Sequence, residues 1–182
     1  TSAIRNLLEG FQYILGNRPT LLVVLMSFVA TITLLGPVFN MLPVFVPEVL
    51  GSERSDALGL LMTVIGVGGV VGTLLMARFS QNKHKGIQSL VAFVGASLAV
   101  IALSQVTTIW VAAGVLAVYQ VFAQGVLTTN MTMVQSMTPD HLRGRVVGVY
   151  QMEIGLMPVG GVVAGAIATQ WGVGSAFLIG GA

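Results

Sequence analysis

A single glutamate, Glu153, stands in the run from Val146 to Ala168, which carries no other charged residue. Lying seven residues past Val146, it would sit roughly 10 Å into a hydrocarbon layer about 30 Å thick if that run crosses a bilayer. A carboxylate at such a depth is costly unless it is paired, hydrated or protonated, and such groups characteristically face a cavity or a proton relay. Two chemistries follow: proton exchange, or recognition of a cationic substrate. The structural alternative is a carboxyl hydrogen-bonded within a helix bundle or snorkelling toward the membrane surface. Tyr150, three residues earlier, and Met157, four later, share its helix face.

A second polar group lies upstream, where Tyr119, Gln120, Gln124, Thr128 and Asn130 interrupt an apolar run. Gln120, Gln124 and Thr128 recur every four residues and form one stripe on a helix. Such a stripe is expensive against lipid, so it should face the bundle or water, as interhelical glue or as cavity lining. The remaining polar chemistry is in two basic loops, "ARFSQNKHKG" and "TPDHLRGRV". Within the second, Asp140 and Arg143 are three apart and suited to a local ion pair or to a latch on a neighbouring helix end. His84 and His141 also fall in these loops, which argues against a histidine relay inside the membrane. With no cysteine in the chain, disulfides and thiolate metal sites are excluded. No metal or other cofactor is expected. The chain has no nucleotide-binding P-loop, no H-E-x-x-H and no pair of intramembrane aspartates, so an enzyme is not expected. No selectivity-filter sequence is present either, though a passive scaffold would need none.

The elements that must position these groups are set by hydropathy. Only 8% of the 182 residues are charged and 23 are glycine, with a mean hydropathy of +0.92. Soluble domains average about 25% charged residues, so this composition is that of an integral membrane protein. Charge-free stretches predict an all-α, polytopic transmembrane helix bundle with spans at about 20–46, 57–79, 87–103, 109–134 and 146–168, and a sixth begun at 174–182. The break between the third and fourth falls at "SQVTT", residues 104–108. Seven of the eight Lys and Arg residues then lie on one side of the membrane, which the positive-inside rule assigns to the cytoplasm. Residues 1–19 place Ile4, Leu7, Leu8, Phe11, Ile14 and Leu15 at helical spacing opposite Arg5, Asn6, Glu9 and Gln12. They predict an amphipathic helix, either lying on the cytoplasmic membrane surface or linking into the bundle. Gly68 with Gly72, Gly69 with Thr73, Gly161 with Gly165, and Gly144 with Gly148 stand four apart, a spacing that lets helix backbones approach closely. Pro37 and Pro43 in the first span and Pro158 in the fifth each remove a backbone donor and predict kinks. The chain opens on Thr1 and closes on an apolar stretch shorter than a span, and is expected to be a segment of a longer protein.

Three stretches carry a family resemblance: "LLEGFQYILGNRP" before the first span, "GVGGVVGTLLMARFSQNKHKG" across the second, and "TPDHLRGRVVGVYQMEIGLMPVGGVVAGAIA" through the fifth. They resemble the carboxyl-terminal half of a major facilitator superfamily transporter, nearest to bacterial enterobactin-exporter and drug-efflux permeases. The most specific feature is the Pro-x-x-x-Arg-Gly-Arg run from Pro139 with Pro158, Gly160, Gly161 and Gly165 downstream. The resemblance implies helices seven to eleven and the start of twelve, working by alternating access around a midplane site. It also implies a cytoplasmic gate in the loop after the second span, matched here by Gly72, Arg78 and Lys83 or Lys85, with Asp140, Arg143 and Arg145 at the other basic loop. The acidic residue that usually adjoins that arginine is absent, since Ala77 and Phe79 flank Arg78. The expected function is export of a small organic molecule across a bacterial inner membrane, coupled to protons. The proton or substrate pathway is expected to use Glu153, Tyr150, Gln120, Gln124, Thr128 and Asn130; the alternative is a non-transporting scaffold or channel-like bundle. The expected partners are the lipid bilayer, the small-molecule substrate and an amino-terminal six-helix half of the same chain, with no nucleic acid.

Overall fold

A computed structural model describes residues 3–51, 55–79 and 84–182. The loop positions Lys83, Glu53 and Arg54 lie outside the described residues. Helix α1 (Ala3–Gly16) is followed by α2 (Arg18–Glu48), α3 (Ser55–Phe79), α4 (Lys85–Leu103), α5 (Ile109–Met137), α6 (Arg143–Trp171) and α7 (Val173–Gly181). Five of these, α2 to α6, are long and apolar enough to cross a membrane. The described chain is an all-α helix bundle and a multi-pass membrane protein. The turn at 104–108 separates α4 from α5 through Ser104, Gln105 and Val106, whose N–H groups donate three residues back.

Backbone chemistry explains why α2 begins where it does. Asn17 caps it, its side-chain oxygen accepting from the Thr20 N–H at 3.2 Å and the Thr20 hydroxyl at 3.0 Å. Pro19 occupies the first turn, where a missing N–H leaves no bond unmade.

Two of the long helices are irregular at their middles, and a proline stands just beyond each irregular stretch. In α2 the residues Thr31–Leu35 form a π-helical turn, closed by the Gly36 N–H donating to the Thr31 carbonyl, with Pro37 next. In α6 the residues Gln151–Leu156 form a 3₁₀ stretch, where the Met157 N–H donates to the Ile154 carbonyl ahead of Pro158. Each proline lacks the donor that would close the α-helical bond to the carbonyl four residues back, so the ladder shifts register there. The kinks expected at Pro37 and Pro158 are thus realised as one widened and one tightened turn, whereas Pro43, also expected to kink its span, stands within the regular α-helical stretch Gly36–Glu48. These turns contact each other.

Small residues set the helix crossings. A Cβ on Gly68 or Gly72 of α3 would meet the Ala117 or Val121 carbonyl of α5 at 2.9 Å. α2 crosses α6 at Gly36, where a Cβ would meet Cα of Gly160 and the Met157 carbonyl at 2.8 Å. Asn40 bridges the same crossing, donating to the Gly36 carbonyl at 2.8 Å and the Met157 carbonyl at 3.3 Å. The small-residue pairs in α6 therefore differ from those expected. The close approach uses Gly160 and Gly161, Gly165 meets only a methionine methyl at 3.8 Å, and Gly144 and Gly148 have nothing within 4 Å of a built Cβ. The physical reason is rotation: the Gly144 and Gly148 face of α6 points away from its neighbours and is exposed.

Helix α1 docks on the basic end of the bundle. Its Tyr13 hydroxyl donates to the Met137 carbonyl at 2.7 Å, Glu9 pairs with Arg145 and Arg5, and Gly10 lies against the Arg145 carbonyl. Ile14 is buried with Val146 and Val149. Leu7, Leu8, Phe11 and Leu15 remain exposed, so most of the apolar face points away from the bundle. Arg145 and Glu9 are each about a third exposed, which limits their pairing to about 0–1 kcal/mol, and the Tyr13 bond adds about 1 kcal/mol. Together these correspond to roughly tenfold. A Tyr13→Phe/Arg145→Ala double variant is therefore expected to be cleaved by chymotrypsin after Phe11, within α1, about tenfold faster. Unchanged cleavage would mean that the packing of Gly10 and Ile14 alone holds α1.

Candidate functional site

The two irregular turns bring Glu153 to a cavity. Glu153 lies within the 3₁₀ stretch of α6, where residues three apart eclipse, so its carboxyl falls beside the Tyr150 hydroxyl. It is 3% exposed, and its Oε2 has no hydrogen-bond partner among the described residues. The cavity, about 350 Å³, lies between α2, α5 and α6. Thr31, from the π turn, lines it with a second buried oxygen that lacks a partner among the described residues. From α5 come Gln124 and Thr128, four apart on one face. Exposed Gln151 and Ile154 form part of the rim.

An adjoining cavity of about 610 Å³ lies between α2, α3 and α5, with Gln120 and Gln124 on its wall opposite Gly66, Gly69 and Thr73. Gln124 lines both spaces, so the stripe seen in the sequence runs as one polar seam from Gln120 to Thr128 along two adjoining cavities. The Gln120 Oε1 is likewise buried without a hydrogen-bond partner among the described residues. Among the described residues four buried oxygens share this condition, and three of them belong to cavity-lining residues; the fourth is the hydroxyl of Tyr119, held in the apolar core. Buried polar groups normally have partners. Concentrated at a cavity wall, unpartnered acceptors and hydroxyls are groups available to a ligand, to water or to a proton.

Asn130 is placed elsewhere. It is fully buried and lines neither cavity; its amide bonds Ser27 and Ser89. Among the residues matched to a gate, Gly72 sits at the crossing of α3 and α5 rather than in a loop, and Arg78 is exposed in the last turn of α3. Asp140 and Arg143 pair locally at 2.5 Å, while Arg145 makes the longer reach, to Glu9 of α1. Sequence reasoning passed over Ser27, Thr31 and Ser89. A signal for the first two existed: Thr20, Ser27 and Thr31, spaced seven and four apart, lie on one face of α2, and all three are buried.

The profile of a family described as transmembrane secretion effectors, a branch of the major facilitator superfamily, matches residues 2–182. The chain belongs to the major facilitator superfamily. This is a superfamily of transport proteins rather than enzymes. The chain is also similar to the Staphyloferrin A transporter of Staphylococcus aureus, at 26% identity over 144 residues, which cover 77% of this chain and 35% of that protein. It thus spans about a third of the length of the curated relative it matches. No solved structure gives a significant match. As a major facilitator chain it places its polar cavity walls on the helices α2, α3, α5 and α6.

Proposed function

We propose that this chain forms one wall of a proton-coupled exporter that moves a small organic molecule out of a bacterial cytoplasm by alternating access. The observation that carries the reading is Glu153: a buried carboxyl with an unpartnered oxygen, facing a cavity in the middle of a membrane span. A carboxyl in that place can take a proton when the cavity opens to one side and release it when the cavity opens to the other. The seam of Gln120, Gln124 and Thr128 offers neutral donors and acceptors to an organic cargo, while the apolar remainder of the walls takes its hydrocarbon. Membership of a family described as secretion effectors supports outward movement, and the relative's named cargo, Staphyloferrin A, supports a small organic substrate. The clustering of Lys and Arg at the end of the bundle that holds α1 supports a cytoplasmic position for that end. We assign the gate to the same end, with Arg78, Asp140, Arg143 and Arg145, where charged pairs can form and break between conformations. The other wall of the site is assigned to further helices of the full-length protein.

The test is transport by the full-length protein in proteoliposomes under an imposed pH gradient. Cargo movement should follow the gradient, reverse when the gradient is reversed, and collapse with a protonophore. Movement indifferent to the gradient would remove the proton from the mechanism.

A further inference from the structure

A chain of buried polar groups runs from Ser89, outside the cavity, to Glu153 on its wall. The Ser89 hydroxyl of α4 donates to Asn130 Oδ1 of α5 at 2.5 Å. The Asn130 Nδ2 donates to Ser27 Oγ of α2 at 2.8 Å. Ser27 Oγ lies 3.1 Å from the Tyr150 hydroxyl of α6, a contact in which either atom can donate. Tyr150 in turn stands beside Glu153. Four helices are tied together by this chain, and Ser27, Ser89, Asn130, Tyr150 and Glu153 are all buried.

The Asn130 amide turns its oxygen to the Ser89 hydroxyl and its N–H to Ser27. Ser27 has one proton and two places to put it: the Val23 carbonyl one turn back, at 3.2 Å, or the Tyr150 oxygen. When Glu153 is ionised, Tyr150 donates to the carboxylate and Ser27 donates to Tyr150. When Glu153 is protonated, it donates to Tyr150, Tyr150 donates to Ser27, and Ser27 turns its proton onto the Val23 carbonyl. Every hydroxyl proton has an acceptor in both arrangements, and only hydroxyl protons rotate.

We infer that Ser27, Asn130 and Ser89 are positioning residues that set the direction of the Tyr150 hydroxyl and so transmit the protonation state of Glu153 to the backbone of α2 at Val23. A serine hydroxyl bonded to the carbonyl four residues back bends a helix, and the bond is made or released one turn before the π turn that supplies Thr31. The inference rests on the proposed proton coupling through Glu153. From α2 and α5 the side chains facing Glu153 across the cavity, among them Thr31, Gln124, Thr128 and Met131, carry no titratable group; on α6 the titratable neighbour is Tyr150.

The test is pH-difference infrared spectroscopy on the full-length protein in lipid, with the carboxyl C=O band assigned by its loss in Glu153→Gln and the tyrosine band by its loss in Tyr150→Phe. In Ser27→Ala the carboxyl band should shift and the accompanying tyrosine signal should shrink, because Tyr150 keeps a single partner and no longer reverses. Ser27→Thr, which retains the hydroxyl, should restore both. Ser89→Ala, remote from the carboxyl, should shift the same band by less, and it serves as a second variant should Ser27→Ala fail to fold. A carboxyl band that titrates but stays in place in both alanine variants overturns the inference alone. The absence of any titrating carboxyl band in the unmodified protein overturns the inference together with the proton-coupled reading.

Discussion

Glu153→Gln is expected to reduce pH-gradient-driven transport to background while downhill exchange of cargo persists. Glutamine keeps the shape and the hydrogen-bonding reach of the side chain but has no proton to gain or lose at accessible pH. The 3₁₀ stretch and its contact with the π turn depend on Pro37, Pro158 and the helix crossing, none of which the substitution touches. The bundle should therefore assemble normally, and the amide can still bond the Tyr150 hydroxyl. Gradient-driven flux needs a group that changes charge between the two openings of the cavity, whereas exchange needs only the walls. Both fluxes can be read from one preparation of full-length protein in proteoliposomes. Retention of gradient-driven flux by the glutamine variant would move the coupling site to another residue. Loss of both fluxes in a folded protein would make Glu153 a cargo contact instead.

The second large effect is expected at Gly160, where α6 meets α2. A Cβ there would run into the Ile32 carbonyl and come within 3.1 Å of Cα of Gly36, so both obstacles are backbone and neither can swing aside. Gly160→Ala should lower stability by about 1–3 kcal/mol, the usual cost of overpacking. A leucine should force the helices apart and spoil the alignment of Thr31 with Glu153. Gly144→Ala is the matched control: it lies on the same helix, is exposed, and has nothing within 4 Å of a built Cβ, so the effect expected of a surface change is within about 0.5 kcal/mol. Thermal unfolding of the full-length variants in detergent separates the two positions. Equal midpoints for Gly160→Ala and Gly144→Ala would show that this crossing is looser than its geometry implies.

How much of this was legible in the amino acids depends on what each residue answers to. The helices answer to hydropathy over twenty residues, a sum that needs no knowledge of neighbours, so the all-α bundle could be read directly. The isolation of Glu153 and the four-residue spacing of Gln120, Gln124 and Thr128 were equally visible, because charge and period are local properties. The irregular turns were not. Pro37 and Pro158 announce a lost hydrogen bond, but whether the ladder widens into a π turn or tightens into a 3₁₀ stretch depends on what packs alongside. Ser89 was invisible for a related reason: one hydroxyl in an apolar span is ordinary, and only its meeting with Asn130 and, through it, Ser27 makes it part of a chain. The pairing of small residues failed in the same way, since spacing marks Gly144 with Gly148 as readily as Gly160 with Gly36, and only the rotation of α6 decides between them.

The crossing of α2 and α6 also has a mechanical meaning. With no side chain between Gly36 and Gly160, two backbones bear directly on each other, and Asn40 clasps both. Such a contact is a fulcrum without slack. The π turn of α2 and the 3₁₀ stretch of α6 both lie just to the basic side of it, where the ladder is already irregular and bends most easily. A scissoring rotation about the glycines would open or narrow the space in front of Glu153 while leaving the far limbs clasped. The carboxyl stands close to the pivot, where the blades move least, and the exposed basic end of the molecule is where the same rotation becomes a large stroke.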